Sequence, residues 1–592
     1  MRCHLRRAVI LVISLTTMLS TILFLGQLEE GRRLRFVLEV SDRIGAHPWT
    51  QQRSEPPTVA RRITAEEFRR NPLLKTGNPL IDDYGRNSSA PGEMGSPVVL
   101  PEEMKANVSE ALRMFRVNVL ASDVIPLNRK VPDSRVPGCR GKQFARDLPT
   151  ASVVITVHDE WPSVLQRTLY SVINRSPRHL LMEIILVDDN STLKGLQQDL
   201  DDRIAADFPD GLVHVVRMRQ RAGLVRARMA GVRAAKGDVI VILDSHSEVN
   251  VEWLEPLLTQ IKADQTSVAL SLLDYIHAET FAYRSHKLSQ VRYGFDWRLV
   301  FYETFFRPFS NDASVKPGVV TVGTAFAVDR KYFLKLGGYD EGMDVWGGEN
   351  LELSWRVWMC GGSMVHVPCS KVGHIARPQP YSFPAGRQHT EMHNYKRAVE
   401  VWMNDNHKIF VYSYFPQMKT LDAGNLTERK ELKQKLGCSS DFDWFLERVW
   451  PELTVFDKNA SVWGAVANIA LGLCLDTHNN VYYAEKPFFA EPCHGQLNSQ
   501  GFSLTKDGVL KSGLHCVVVR NDNSGARALL ANCFSAPVDK WAYPKVNEHL
   551  CHQRSGLCLD LCDKVPCIKN CTADVSQKWT FIQPTSGLQR VG

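Results

Sequence analysis

The chain has 592 residues, 44% hydrophobic and 23% charged. This ordinary globular composition excludes a wholly disordered, collagen-like or polytopic membrane protein, and the length suits about four domains. The 71 Lys and Arg exceed the 64 Asp and Glu by only 7, too dilute an excess for a nucleic-acid footprint.

Arg2, Arg6 and Arg7 precede an uncharged stretch from Ala8 to Gln27, about the length a helix needs to cross a bilayer. No small-residue cleavage site follows at Phe24-Leu25-Gly26-Gln27-Leu28, so residues 8–27 are expected to be an uncleaved signal-anchor behind a cytosolic tail, 1–7. Sequons begin at Asn87, Asn107, Asn190, Asn425, Asn459 and Asn570. With the clustered cysteines they point to a lumenal chain. Residues 28–135 are rich in Arg, Pro, Glu and Ser with little periodicity, and are expected to be a stem.

From Ala151 the texture becomes α/β. The apolar runs 152–157, 183–187 and 239–243 alternate with helix-like stretches such as Ser163–Val172 and Val225–Ala235. That alternation predicts a mostly parallel sheet with ligands at the strands' carboxyl ends. The second run meets Asp188-Asp189 and the third meets Asp244-Ser245-His246. One strand-end Asp is usually a turn former, but carboxylates from two strands at one sheet edge suit a bound ligand. In extended chain, residues i and i+2 point the same way, so Asp244 and His246 can share one divalent ion such as manganese. His374 is a candidate third ligand, although an isolated histidine is more often structural.

The C-terminal part repeats. Cys474-Leu475-Asp476 recurs as Cys516-Val517-Val518 and Cys558-Leu559-Asp560, at intervals of 42 residues. Each unit has a second cysteine (Cys493, Cys533, Cys571) and a closing tripeptide: Gln500-Gly501-Phe502, Asp539-Lys540-Trp541 or Gln577-Lys578-Trp579. This period predicts a closed threefold β fold with the closing aromatics in its core. The pattern resembles the ricin-type β-trefoil lectin, which implies sugar binding by Asp476 and Asp560. The middle unit, with Val518, is expected not to bind. Asn498 is displaced by one position from the family's asparagine.

With a lectin behind an Asp-x-His domain and an anchor, the chain resembles the polypeptide N-acetylgalactosaminyltransferases. The resemblance runs from about Val136 to the C-terminus. It rests on the run Asp344 to Glu352 (DVWGGENLE) followed by RVWMCGG, and on GFDWRLVF (294–301), Arg221-Ala222-Gly223-Leu224, PCSKVGHIAR and AVEVWM. It implies a GT-A, Rossmann-like nucleotide-sugar-binding domain over 136–445, a linker over 446–460 and the β-trefoil over 461–592. The implied donor is UDP-GalNAc and the cofactor Mn2+. The implied acceptors are Ser/Thr of polypeptides, with GalNAc-bearing glycopeptides as lectin ligands, in a type II protein of the Golgi membrane. Residue by residue, Asp244, His246 and His374 match the metal ligands. Thr156, His158, Asp189 and Arg221 match the uridine side, and Ser245 lies with the donor site. Trp346, Glu349 and Asn350 match the sugar and acceptor side, and Arg377 and Tyr381 the loop that closes over the diphosphate. The implied bridges are Cys139–Cys369, Cys360–Cys438, Cys474–Cys493, Cys516–Cys533 and Cys558–Cys571. Cys551, Cys562 and Cys567 are left over and cannot all pair internally. The family retains anomeric configuration, which implies front-face transfer with Glu349 as a positioning group.

Three departures fall near the donor. Val322-Gly323-Thr324 stands for the family's Ala-Gly-Gly, so Thr324 is expected to add a side chain to the sugar wall. The loop Arg377-Pro378-Gln379-Pro380-Tyr381 is one residue shorter and lacks a His. In His158-Asp159-Glu160-Trp161, Asp159 and Trp161 stand for Asn and Ala. Two readings stay open: an active transferase, and a weak or inactive paralogue acting as a glycan-binding or regulatory protein.

Overall fold

A computed structural model describes residues 61–62, 89–208, 210–285, 291–305, 312–451, 453, 460–478, 485–494, 497–513, 515–533 and 537–583. The expected tail, anchor and first part of the stem lie outside them, as do Asn87 and Asn459. Among the described residues no helix is long and apolar enough to cross a membrane.

The stem expected over 28–135 gives way to folded structure before its end. Helices α1 (Lys105–Phe115) and α2 (Val119–Val124) pack on the catalytic domain. The left-handed Arg116 ends α1, and the Asn118 side chain caps α2 by accepting the Ala121 N–H at 3.2 Å. Val98, Val117, Val119 and Val124 share an apolar cluster with Phe281, Tyr283 and Ile375. The polar composition of this segment masks one short buried stripe, too brief to show as a period.

The catalytic sheet is built from β1 (Ala151–Val157), β2 (Leu181–Asp188), β3 (Val213–Arg217), β4 (Val239–Asp244), β5 (Ser267–Ile276), β6 (Phe326–Asp329) and β7 (Ser363–Ile375). Their spatial order is β7-β5-β6-β4-β1-β2-β3. The strands β4-β1-β2-β3 are parallel, and β6 runs antiparallel between β4 and β5. Alternate residues feed opposite cores: Val154, Ile240 and Ile242 face one cluster, Val153, Ile155, Val241 and Leu243 the other. Burial on both faces explains why the strands are continuous apolar runs. Around the sheet lie α3 (Pro162–Asn174), α4 (Leu224–Ala234), α5 (Glu349–Met359), α6 (Arg387–Trp402), α7 (Asp405–Tyr414) and α8 (Phe442–Arg448).

The linker expected over 446–460 starts too early. Trp450 is fully buried and donates from its indole to the Phe295 carbonyl at 2.9 Å, so α8 and Trp450 belong to the catalytic core.

The last domain is mostly β, with a short helix at Leu497–Gln500, and its closing aromatics Phe502, Trp541 and Trp579 are buried in one cluster. Trp541 and Trp579 make the same indole bond, to the carbonyls of Val517 and Leu559, each at 3.0 Å. All five expected disulfides form. A sixth, Cys562–Cys567, clips a hairpin, which leaves Cys551 as the free thiol among the described residues. Trp463 of this domain meets Phe410 of α7 edge-on at 5.3 Å.

Candidate active site

The carboxyl end of β4 supplies Asp244, and the chain then turns into a short strand, Ser247–Val249, that pairs antiparallel with β7. Because Ser247 lies opposite His374, His246 is carried to within a ring distance of 4.8 Å of His374. Asp244, His246 and His374 each place a ligand atom within 4.8 Å of the other two. His374 Nε2 is buried and faces Asp244 Oδ2 at 3.3 Å. Two imidazoles and a carboxylate whose ligand atoms gather within 4.8 Å of one another fit a divalent cation of the manganese type. Burial opposes ionisation of Asp244, but His374, Arg228 and His246 outweigh it and hold the carboxyl below its usual range.

Glu160 supports this cluster and was not singled out as a site residue in the sequence. Its Oε2 lies 3.0 Å from His246 Nδ1, which leaves Nε2 of that ring for a ligand. The same oxygen accepts from Ser245 Oγ at 3.1 Å and from Arg377. Burial opposes the charge on Glu160, yet Arg377 and His246 bring its carboxyl down to about 2. Two expectations change here. Ser245, in the turn after β4, gives its hydroxyl to Glu160, where the donor side was expected. Arg377 is buried, donating to Glu160 and to the Phe115 carbonyl at 2.6 Å, so it braces the His246 carboxylate partner where a diphosphate contact was expected.

On the nucleotide side, Thr156 Oγ1 at the end of β1 is buried without a partner, and Thr156 lies opposite Asp244 in the sheet. Asp189 accepts the Ala222 and Gly223 N–H groups at 2.6 and 2.9 Å, and so shapes the loop before α4. His158 Nδ1 is 2.8 Å from the Asp189 carbonyl, and its ring meets Tyr381 at 6.1 Å. Arg221 lies over the Tyr381 ring at 5.3 Å, so the closing loop rests on the uridine-side residues.

The two changes in the first-strand motif have structural jobs. Asp159, at a left-handed φ of 51°, accepts the N–H groups of Thr192 and Leu193. Trp161 donates to Asp123 at 2.8 Å and packs on Phe115, which fastens α1 and α2 to the site.

On the sugar side, Glu349 begins α5. Its Oε2 accepts the Gly347 N–H at 3.0 Å and its Oε1 is 3.8 Å from Arg228. Burial raises its pKa. Arg228 Nη2 also reaches Asp244 Oδ1 at 3.1 Å, so one guanidinium joins the metal ligand to Glu349. Asn350 donates to the Thr321 carbonyl at 3.1 Å. Trp346 lies under Arg387 at 5.5 Å. Its loop is pinned by Asn394, fully buried, which donates to the carbonyls of Asp344, Trp346 and Gly347 and accepts the Asp344 N–H. Neither Arg228 nor Asn394 carries a role in the sequence analysis. Thr324 does not turn its hydroxyl to the sugar wall: Oγ1 accepts the Asp244 N–H at 2.9 Å.

In the lectin domain, Gln500 donates to Asp476 and Gln577 to Asp560, each at 2.9 Å. The matching bonds fix the first and third units as equivalent despite the shifted asparagine. The Asn498 side chain lies outside the described set. In the middle unit Asp539 instead accepts the Val519 N–H.

Family models match three segments: glycosyl transferase family 2 over residues 152–337, the N-terminal domain of galactosyltransferase over 315–379, and the ricin-type beta-trefoil lectin domain over 462–579. Polypeptide N-acetylgalactosaminyltransferase 13 of Rattus norvegicus is 39% identical over 515 residues, covering 85% of this chain and 91% of that protein. Polypeptide N-acetylgalactosaminyltransferase 10 of Homo sapiens is 37% identical over 514 residues, 83% of each. Among solved structures, GalNAc-T7 with UDP, GalNAc and Mn2+ superposes with a TM-score of 0.62 at 31% identity, over 87% of this chain and 95% of that one.

Proposed function

The chain belongs to the polypeptide N-acetylgalactosaminyltransferase family, and on that premise we propose that it transfers N-acetylgalactosamine from UDP-GalNAc to Ser or Thr of polypeptides, with manganese and with retention of configuration. The observation that carries this reading is the Asp244–His246–His374 cluster, whose ligand atoms gather within 4.8 Å of one another. A bound manganese ion supplies Lewis-acid neutralisation of the donor's diphosphate.

The chain's own residues do the rest. Glu160 orients His246, and Arg228 holds Asp244 against Glu349. The Glu349 carboxylate is committed to the Gly347 amide and Arg228, which supports a positioning role over that of a nucleophile. Trp346, fixed by Asn394, offers an aromatic face on the acceptor side. The reading includes glycopeptide binding through Asp476 and Asp560. It also includes a Golgi-lumenal location behind an anchor at 8–27, and the disulfides suit such an oxidising compartment.

The test is UDP-GalNAc turnover by the folded unit on a mixed Ser/Thr peptide library with manganese. Turnover that requires manganese is expected. A second reading, glycan binding without turnover, draws on Arg377, which is engaged with Glu160 and Phe115. No product on any peptide, together with glycopeptide binding, would select it.

A further inference from the structure

The hydrogen bond from the Asp244 amide to Thr324 has a function that the register of the sheet reveals. Strand β6 runs antiparallel to β4 with Phe326 opposite Ile242 and Val328 opposite Ile240. Two residues further on, the same register sets position 324 opposite Asp244. The ladder stops before that point. Ala325 adopts a left-handed φ of 53°, and its carbonyl accepts the Ser271 N–H of β5 at 2.9 Å. Asp244 therefore has no strand carbonyl for its amide, and the Thr324 hydroxyl takes that place at 2.9 Å. Thr324 is only 5% exposed, so water is a poor substitute.

The segment around Thr324 is itself bolted to α5. Asn350 donates to the Thr321 carbonyl, and the Thr321 hydroxyl accepts the Gly323 N–H at 3.1 Å. At Gly323, with φ of 93°, a Cβ would lie 3.4 Å from Glu349 Oε1. The 321–325 segment thus joins the Glu349–Asn350 end of α5 to the strand that carries Asp244, and the Thr324 hydroxyl is its contact with that strand.

We infer that Thr324 is a positioning residue for the metal-side carboxylate: its hydroxyl completes the β4–β6 ladder with a side chain and so fixes the backbone of Asp244. A glycine at this position has no side chain to close the ladder. The inference rests on the metal reading above, and its test separates the two. Thr324→Val keeps the shape and removes the acceptor, Thr324→Ala removes it without added bulk, and Thr324→Ser keeps it.

The first readout is hydrogen exchange of the Asp244 amide in the metal-free folded unit. Exchange is expected to be slow in wild type and Thr324→Ser, and at least about tenfold faster in Thr324→Val and Thr324→Ala. The second is manganese affinity with UDP present, by titration calorimetry. It is expected to fall about tenfold in Val and Ala, as for loss of an outer-shell partner, with the Ser variant near wild type. If Thr324→Val does not fold, Thr324→Ala carries the comparison. Equal exchange and equal affinity in the hydroxyl-free variants would overturn the inference, as would a Ser variant as weak as Ala. Fast exchange in Ala combined with no manganese-dependent UDP binding in wild type would leave the ladder intact and remove the metal reading instead.

Discussion

The catalytic and lectin domains each hold acidic side chains at a ligand site, but they recruit the supports differently. Asp244 is held by Arg228 from α4, Thr324 from beyond β5 and His374 from β7, separated by 16, 80 and, by number, 130 residues. Asp476 and Asp560 are each held by a glutamine of their own repeat, 24 and 17 residues on. A site assembled from distant segments fails as a whole, because every support converges on one residue, Asp244. A site built within a repeat fails by units, because each carries its own copy. Point substitutions therefore have graded consequences that separate the two designs.

The largest effect is expected from Asp244→Ala. It removes the anionic member of the cluster, so turnover should fall by more than about a hundredfold and UDP binding should lose its dependence on manganese. Unchanged UDP affinity with and without the metal in this variant would sink the metal assignment. Next comes Glu160→Gln, which keeps the shape but weakens the hold on His246 and Arg377. Manganese affinity should drop about 10- to 100-fold while the fold persists. An unaltered affinity would mean that His246 is oriented by something other than this carboxylate.

In the lectin domain the comparison predicts partial losses. Asp476→Ala and Asp560→Ala should each reduce binding to GalNAc-bearing glycopeptides and together abolish it, with the rate on naked peptide unchanged. Full binding in the double variant would make this domain structural only. The smallest expected effect is on stability. Trp541→Phe and Trp579→Phe each free a buried carbonyl, of Val517 or Leu559, and should cost about 1–3 kcal/mol in chemical denaturation. Phe502 marks the unit that already lacks this bond, so Trp-to-Phe changes test whether the units contribute separately.

The same contrast governs what was legible in the sequence. The β-trefoil could be read because it is written three times, and its recurring first cysteines and closing aromatics are residues the fold buries. The alternating sheet could be read because it follows from local periodicity; Asp244 and His246 do come together, but through a turn at 245–246 and not through the extended chain that the spacing assumed. His374 required a family resemblance, since only the pairing of Ser247–Val249 with β7 brings it near. Glu160, Arg228 and Asn394 carried no local signature of their role. Each acts through side-chain contacts to other elements, which neither period nor spacing reports. The same holds for Thr324 and Arg377, whose side chains turn away from the positions expected of them. The early end of the stem went unseen because α1 and α2 owe their order to a surface provided by residues far along the chain.

That order sets limits on proteolytic release. Phe115 lends its carbonyl to Arg377, and Asp123 accepts from Trp161, so the segment ahead of β1 is part of the wall behind His246. Arg129 in the same segment pairs with the buried Glu248 at 2.7 Å. A cut before Ser89 leaves every one of these contacts in place. A cut between Phe115 and Asp123, followed by loss of the leading piece, strips Arg377 of its carbonyl acceptor and leaves Glu160 to hold His246, Ser245 and Arg377 with one fixed point fewer. A form trimmed on the first side should match the full chain in manganese affinity, and one trimmed on the second should not.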